Sequence, residues 1–117
     1  PIPIAVADNE GLLLFLNRQF ISTYGYTIQD IISIQNWTIV AYPDIEYRNF
    51  ALKDWTEAVE EAIKNNLPTS VREYNVTCKN GNKKTVAISA YFEEEYTIGI
   101  FNDITEKKKI EKEIIVL

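Results

Sequence analysis

The sequence predicts an α+β domain with helices packed on one face of an antiparallel sheet. Three observations predict it. Apolar residues alternate in strand fashion near both ends of the chain, the stretch from Ile45 to Asn65 repeats its apolar residues every three or four positions, and turn-forming residues separate these segments. The order that results is β-β-α-α-α-β-β-β, with the helices inserted between strands of one sheet.

The first two strands are "IPIAVAD" and "GLLLFL", joined by "DNEG", whose Asp, Asn and Gly suit a tight reversal. Asn17 is placed to cap a short helix, "RQFISTY", which Gly25 ends. Thr27 followed by Asp30 resembles a capping box and predicts a second short helix. The stretch "IQNWTIVAYPD" reads as irregular, with Pro43 and Asp44 offering a turn or a helix start. Leu52, Trp55, Val59, Ala62 and Ile63 then form the apolar stripe of one long helix, stopped by Asn65, Asn66 and Pro68. Three strands follow. Tyr74, Val76 and Cys78 alternate with polar residues, and the Asn-Gly of "KNGN" predicts a two-residue hairpin. Val86, Ile88, Ala90 and Phe92 share a face of the next strand, and a tight turn near "EEE" returns the chain through Tyr96, Ile98, Ile100 and Ile104.

At 117 residues and 46% hydrophobic, the chain suits one domain with one core. Its net charge of −5 argues against nucleic acid as a partner. The basic cluster Lys107 to Lys109 is interleaved with Glu106, Glu111 and Glu113, as on a solvated helix face. No apolar run approaches the ~20 residues of a membrane span, so direct membrane insertion is not expected. The single cysteine suits a reducing, cytoplasmic compartment. The strand-like start without Met reads as a fragment of something longer.

There is no histidine. That excludes Ser-His and Cys-His catalysis and the phosphoacceptor of a histidine kinase within this segment. The carboxylates "EEE" and "EE" are adjacent in sequence, whereas a catalytic pair must converge in a cleft with separated pKa values. With four glycines there is no phosphate-cradling loop. The fragment is therefore read as non-enzymatic, with no metal site.

Four motifs, in this order, resemble one family: "LNRQFISTYGYT" is similar to "N..F....GY", Trp37 precedes "AYPD", "KNGNKKTV" is similar to "kdG..r.v", and "NDITEKKKIEKE" is similar to "DITerk". On these the chain resembles a PAS domain from Ile2 to about Glu113. The resemblance implies a five-stranded antiparallel sheet flanked by helices and followed by a C-terminal signalling helix. It divides the chain into a sensory domain, residues 1–105, and the start of a linker or coiled-coil helix, residues 106–117. The segment "W..AYPD..YR" is similar to a subgroup common in bacterial and archaeal sensor kinases.

The function this implies is a sensory and dimerisation module that relays a small-molecule signal to an effector in the same chain, a histidine kinase first among the candidates. A diguanylate cyclase or transcription regulator is the alternative effector, and a ligand-free dimerisation scaffold the alternative role. The family's pocket lies between the long helix and the concave sheet face. Here that points to Trp37, Tyr42, Trp55, Val59, Tyr74, Ile88 and Phe101, which would either enclose a small organic ligand or fill a solid core. Arg48 and Arg72 would clamp a carboxylate if aimed inward and would be ordinary surface if aimed outward. Asp103, Ile104 and Thr105 form the expected relay into the terminal helix. Ile110, Ile114 and Leu117, spaced four and three apart, give that helix one heptad for joining a second copy in a homodimer. The cofactor stays open, but histidine-ligated haem is disfavoured by the missing imidazole. A LOV-type flavin adduct is disfavoured because no "GxNCRFLQ"-like segment precedes the long helix, and Cys78 reads as a buried apolar residue.

Overall fold

A computed structural model describes residues 1–116. The alternating segments form one five-stranded sheet in the order β2-β1-β5-β4-β3. Its strands are β1 (Ile4–Asp8), β2 (Leu13–Leu16), β3 (Arg72–Thr77), β4 (Lys83–Phe92) and β5 (Tyr96–Asp103), and every neighbouring pair is antiparallel. The first strand and the last are partners, with Ala5 opposite Gly99, so the sheet closes only when the C-terminal strand docks.

Local chemistry sets the hairpins. The Asp8 N–H donates to Leu12 O at 2.9 Å, the Gly11 N–H donates to Asp8 O at 3.0 Å, and Gly11 takes φ 87°. Cys78, Asn82 and Gly81 repeat this pattern between β3 and β4, with Gly81 at φ 90°. The "KNGN" hairpin therefore has three loop residues, not the two expected. Glycine sits third, in the left-handed conformation that bulges the strand it enters. Between β4 and β5 the Glu93 N–H donates to Tyr96 O at 2.9 Å, the tight turn that was expected.

Helix α1 (Arg18–Tyr24) starts at Asn17, whose Oδ1 accepts from the N–H groups of Phe20 and Ile4, both at 2.9 Å. The Asn17 amide donates to Ile2 O at 2.8 Å. One side chain thus caps a helix and pins the β1 entrance. Asn17→Ala is expected to cost about 1–2 kcal/mol, the upper part of the range for a lost cap; a urea midpoint unchanged at constant m-value would refute it. Gly25 ends α1 at φ 85°, and a side chain there would also meet Lys79 Cβ at 3.1 Å.

Helix α2 (Ile28–Ile31) follows Thr27, whose N–H and hydroxyl donate to Asp30 Oδ2 at 2.8 and 3.1 Å. The segment read as irregular contains a further helix, α3 (Ile34–Ala41), capped by Ser33 Oγ accepting from the Asn36 N–H at 3.1 Å. Asn, Trp, Thr, Ile and Val are weak helix formers in isolation. Burial of Trp37 and Ala41 overrides that preference. The long helix α4 (Ile45–Asn65) has the expected bounds, with Asp44 Oδ2 accepting from the Tyr47 N–H at 2.9 Å and Asn66 left-handed at φ 54°. Helix α5 (Thr105–Val116) leaves directly from β5.

Helices α1 to α4 cover the sheet face that carries Ala5, Leu16, Tyr74, Val76, Val86 and Ile88. Two details differ from the expected stripes. The face that α4 buries is Ala51, Ala58 and Ala62, while Leu52 and Ile63 are 39% and 64% exposed. Alanines let the helix backbone approach β3, and the larger residues stand beside that contact. In β5, Phe101 lies opposite Ile88 and Gly99 opposite Ala90, so these two face the helices. Ile98 and Ile100 consequently share the outer face with Val6 and Ile4.

Candidate functional site

Between α4 and the concave sheet face lies a cavity of about 240 Å³. Its walls combine large rings with a floor of small residues. Trp37 and Tyr42 reach it from α3 and the residue after it, Trp55 and Val59 from α4, and Tyr74, Ile88 and Phe101 from the sheet. All seven of these were expected there. The floor is Ala5, Ala7, Ala90 and Gly99, and these residues explain why the aromatics do not fill the space. Four inward positions on three adjacent strands carry no more than a methyl group. Gly99 does more: a Cβ there would lie 2.7 Å from Phe101 Cε1, so the Phe101 ring folds back over its own strand.

That ring packs edge-on against Phe20 and Trp37, with centroid separations of 5.2 and 5.4 Å. Sequence reasoning missed Phe20 and the small-residue floor. The alternating alanines of "IAVAD" and a glycine inside a strand were the available signal.

Neither arginine reaches the cavity. Arg48 Nε donates to Tyr42 O at 2.9 Å and Nη2 donates to Pro43 O at 3.3 Å, tying off the turn between α3 and α4. Arg72 Nη1 pairs with Asp54 Oδ1 at 2.9 Å, and the Tyr74 hydroxyl donates to Asp54 Oδ2 at 2.7 Å. Both guanidinium groups are committed to protein acceptors, so the carboxylate clamp considered for them does not form. Arg72, Tyr74 and Asp54 instead latch α4 to β3. The Tyr74 hydrogen bond, with Arg72 adding to it, holds the Asp54 carboxyl below its ordinary range.

Beyond the cavity, β5 ends in the expected relay residues. Asp103 Oδ1 accepts from the Thr105 N–H at 3.0 Å and from its hydroxyl at 2.6 Å, while Oδ2 accepts from Lys84 Nζ at 3.0 Å. Thr105 Oγ1 in turn accepts from the Thr85 N–H at 3.0 Å, and the Ile104 N–H donates to Thr85 O at 2.9 Å. Ile104 is buried. The first turn of α5 is thus fastened to β4 by the same residues that end β5. Burial raises the Asp103 pKa, but the hydrogen bonds from Thr105 and Lys84 outweigh it and leave the group below its ordinary value. The cavity and this junction share one strand: the Tyr24 hydroxyl donates to Phe101 O at 2.5 Å, two residues before Asp103.

Along α5, Lys108 Nζ bridges Glu73 Oε1 at 2.8 Å. Ile110 and Ile114 are 54% and 66% exposed. Leu117 lies outside the described residues. Cys78 is buried, lies 3.9 Å through Sγ from Thr23 O, and does not line the cavity; burial raises its pKa. Among the described residues no cluster of His, Cys, Asp or Glu could hold a metal, and no helix is long and apolar enough to cross a membrane.

These shifts predict the pH dependence of stability. Asp54 and Asp103 have folded pKa values below their unfolded ones, so the unfolded chain binds protons first as pH falls. Their stabilisation is complete above the unfolded value of about 4 and is lost as pH drops through the folded values. Burial raises the Tyr24 and Tyr74 phenols, so their contribution is complete below about 10 and is lost as pH rises further. Urea midpoints should therefore form a plateau between those limits; a maximum at the acid end would contradict the assignment.

Residues 1–106 match the PAS domain family. No curated protein matches the chain. Among solved structures, a domain of a sensory box sensor histidine kinase/response regulator from Geobacter sulfurreducens is 26% identical, over 87% of this chain and 82% of that one, with a TM-score of 0.62. A PAS domain from Colwellia psychrerythraea is 21% identical over 89% of this chain and 86% of that one, with a TM-score of 0.66. The N-terminal domain of a diguanylate cyclase with PAS/PAC sensor from Marinobacter aquaeolei is 12% identical over 92% and 99%, with a TM-score of 0.71. The last two establish likeness of fold alone.

Proposed function

The chain belongs to the PAS domain family, and from that premise we propose that it binds a small molecule in the cavity beneath α4 and relays the change through Asp103, Ile104 and Thr105 into α5. As a PAS domain it is a sensory, non-catalytic module of a signalling protein. The observation that supports the reading is the continuity of β5. Phe101 forms part of the cavity wall, and the same strand ends two residues later in the hydrogen bonds that fasten α5. A guest pressing on the Phe101 ring displaces a strand whose end sets the direction of the helix.

The effector in this reading is a histidine kinase in the same cytoplasmic chain, supported by the likeness to the Geobacter sensor domain. A diguanylate cyclase is the second candidate, supported by the Marinobacter fold. The domain spans residues 1–105, and α5 begins a coiled-coil linker. Exposed Ile110 and Ile114, with Leu117 continuing their spacing, join the same helix of a second copy.

Native and denaturing mass spectra of the purified protein, compared for wild type and Trp55→Ala, test the reading. The expected result is an added mass that disappears on denaturation and is absent from the variant. Trp55 is only partly buried beside the cavity, so its truncation should cost less than the ~3–5 kcal/mol typical of a ring in a solid core. A bare chain mass together with a loss in that full range would favour the ligand-free dimerisation scaffold.

A further inference from the structure

Resting on the sensory reading above, we propose that the guest is an uncharged, predominantly apolar molecule of about ten non-hydrogen atoms. The size follows from the cavity. A sealed apolar void of ~150 Å³ accepts benzene, and this one is about 240 Å³. Room for a fused two-ring aromatic, or an aliphatic chain of similar bulk, is the result.

The chemistry follows from what the wall lacks. No Asp, Glu, Lys or Arg lines the cavity. The two arginines considered for this pocket are spent elsewhere, Arg48 on main-chain carbonyls and Arg72 on Asp54. An anionic group entering this space would lose its hydration and meet no opposite charge, a cost that pushes such groups toward neutrality or exclusion. Two polar side chains of the wall are already committed. The Tyr74 hydroxyl donates to Asp54, and the Thr38 hydroxyl donates to Gln35 O. What remains to orient a guest is neutral: the Tyr42 and Thr97 hydroxyls and the Trp37 and Trp55 indole N–H groups.

Aromatic faces could in principle hold a cation. The rings here meet one another at steep angles, however, as Trp37 does with Tyr42 and Phe101, so neighbouring rings take up part of the aromatic surface a cation would need. The Asp54 carboxylate is paired with Arg72 and offers a cation no free charge.

The test titrates three probes of similar bulk into isotope-labelled protein: indole, indole-3-carboxylate and phenyltrimethylammonium. Binding is followed at the Gly99 and Phe101 amides by nuclear magnetic resonance. Indole is expected to bind at least about tenfold more tightly than either ion, a difference of ~1.4 kcal/mol. Ala90→Leu and Ala5→Leu, which place new side chains on the cavity floor, should each weaken indole by about tenfold or more while the amide spectrum elsewhere stays folded. Two variants guard against one failing to fold. If either ion matched indole in affinity and moved the same amides, the neutral-ligand assignment would be overturned while the sensory reading survived. If no probe moved those amides, the assignment and the sensory reading would fall together.

Discussion

Phe20→Ala is expected to destabilise the domain by about 3–5 kcal/mol, the range for deleting a buried aromatic ring. Phe20 is 1% exposed. Its ring lies 5.0 Å from Tyr24, 5.5 Å from Trp37 and 5.2 Å from Phe101, centroid to centroid, so it joins α1, α3 and β5 at one point. The two edge-to-face contacts, with Tyr24 and Phe101, each add roughly 0.5–1.5 kcal/mol beyond burial. The cavity lies against the same ring. Truncation would merge the new void with the existing one, and cost rises by ~24 cal/mol for each Å³ left empty. The upper half of the range is therefore expected. Against a total of about 5–15 kcal/mol for a domain, this is a large fraction. Urea unfolding followed by circular dichroism measures it, and a loss below about 1.5 kcal/mol would show that neighbouring rings collapse into the gap.

The contrast between Phe20 and Trp55 explains which parts of the molecule were legible from residues alone. Helix ends were legible because they depend on local chemistry: Asn17, Gly25, Thr27, Asp44 and Asn66 act on backbone groups within a few residues. The bounds of α4 and the hydrogen bonds of Asp103 with Thr105 at the start of α5 are of the same local kind. The aromatic wall was legible through its likeness to a family pattern. Helix α3 was not, because its residues are poor helix formers and the tertiary burial of Trp37 and Ala41 has to hold it. The direction of Arg72 was not, because its place in the sequence cannot reveal that Asp54, 18 residues earlier, pairs with it. The cavity itself depends on Ala5, Ala7, Ala90 and Gly99 meeting across three strands, a coincidence of register that no single segment displays.

On the proposed function, Asp103→Ala is expected to uncouple α5 from the cavity, read as lost output of an effector joined after α5, while leaving cavity binding within about threefold. The carboxylate accepts from the Thr105 N–H, the Thr105 hydroxyl and Lys84. Removing it frees the first turn of α5 and strips Lys84 of its partner. Loss of one hydrogen bond to a charged group costs about 1.5–3 kcal/mol, and leaving Lys84 unpaired on the part-buried side of β4 adds to that. The cavity wall is untouched: Phe101 keeps its Tyr24 hydrogen bond, and its ring keeps its contacts with Phe20 and Trp37. Hydrogen exchange should therefore quicken at the amides of α5 and change little in α4. Asp103→Asn separates the two functions of the side chain, because an amide oxygen can still accept from Thr105 but offers Lys84 no charge. It should preserve more of the output than alanine, and the acid-side loss of stability should diminish in both variants, since the depressed carboxyl is gone. Equal loss of ligand affinity and output in Asp103→Ala would instead mean that the junction helps to shape the cavity, and the relay would have to be sought along another element.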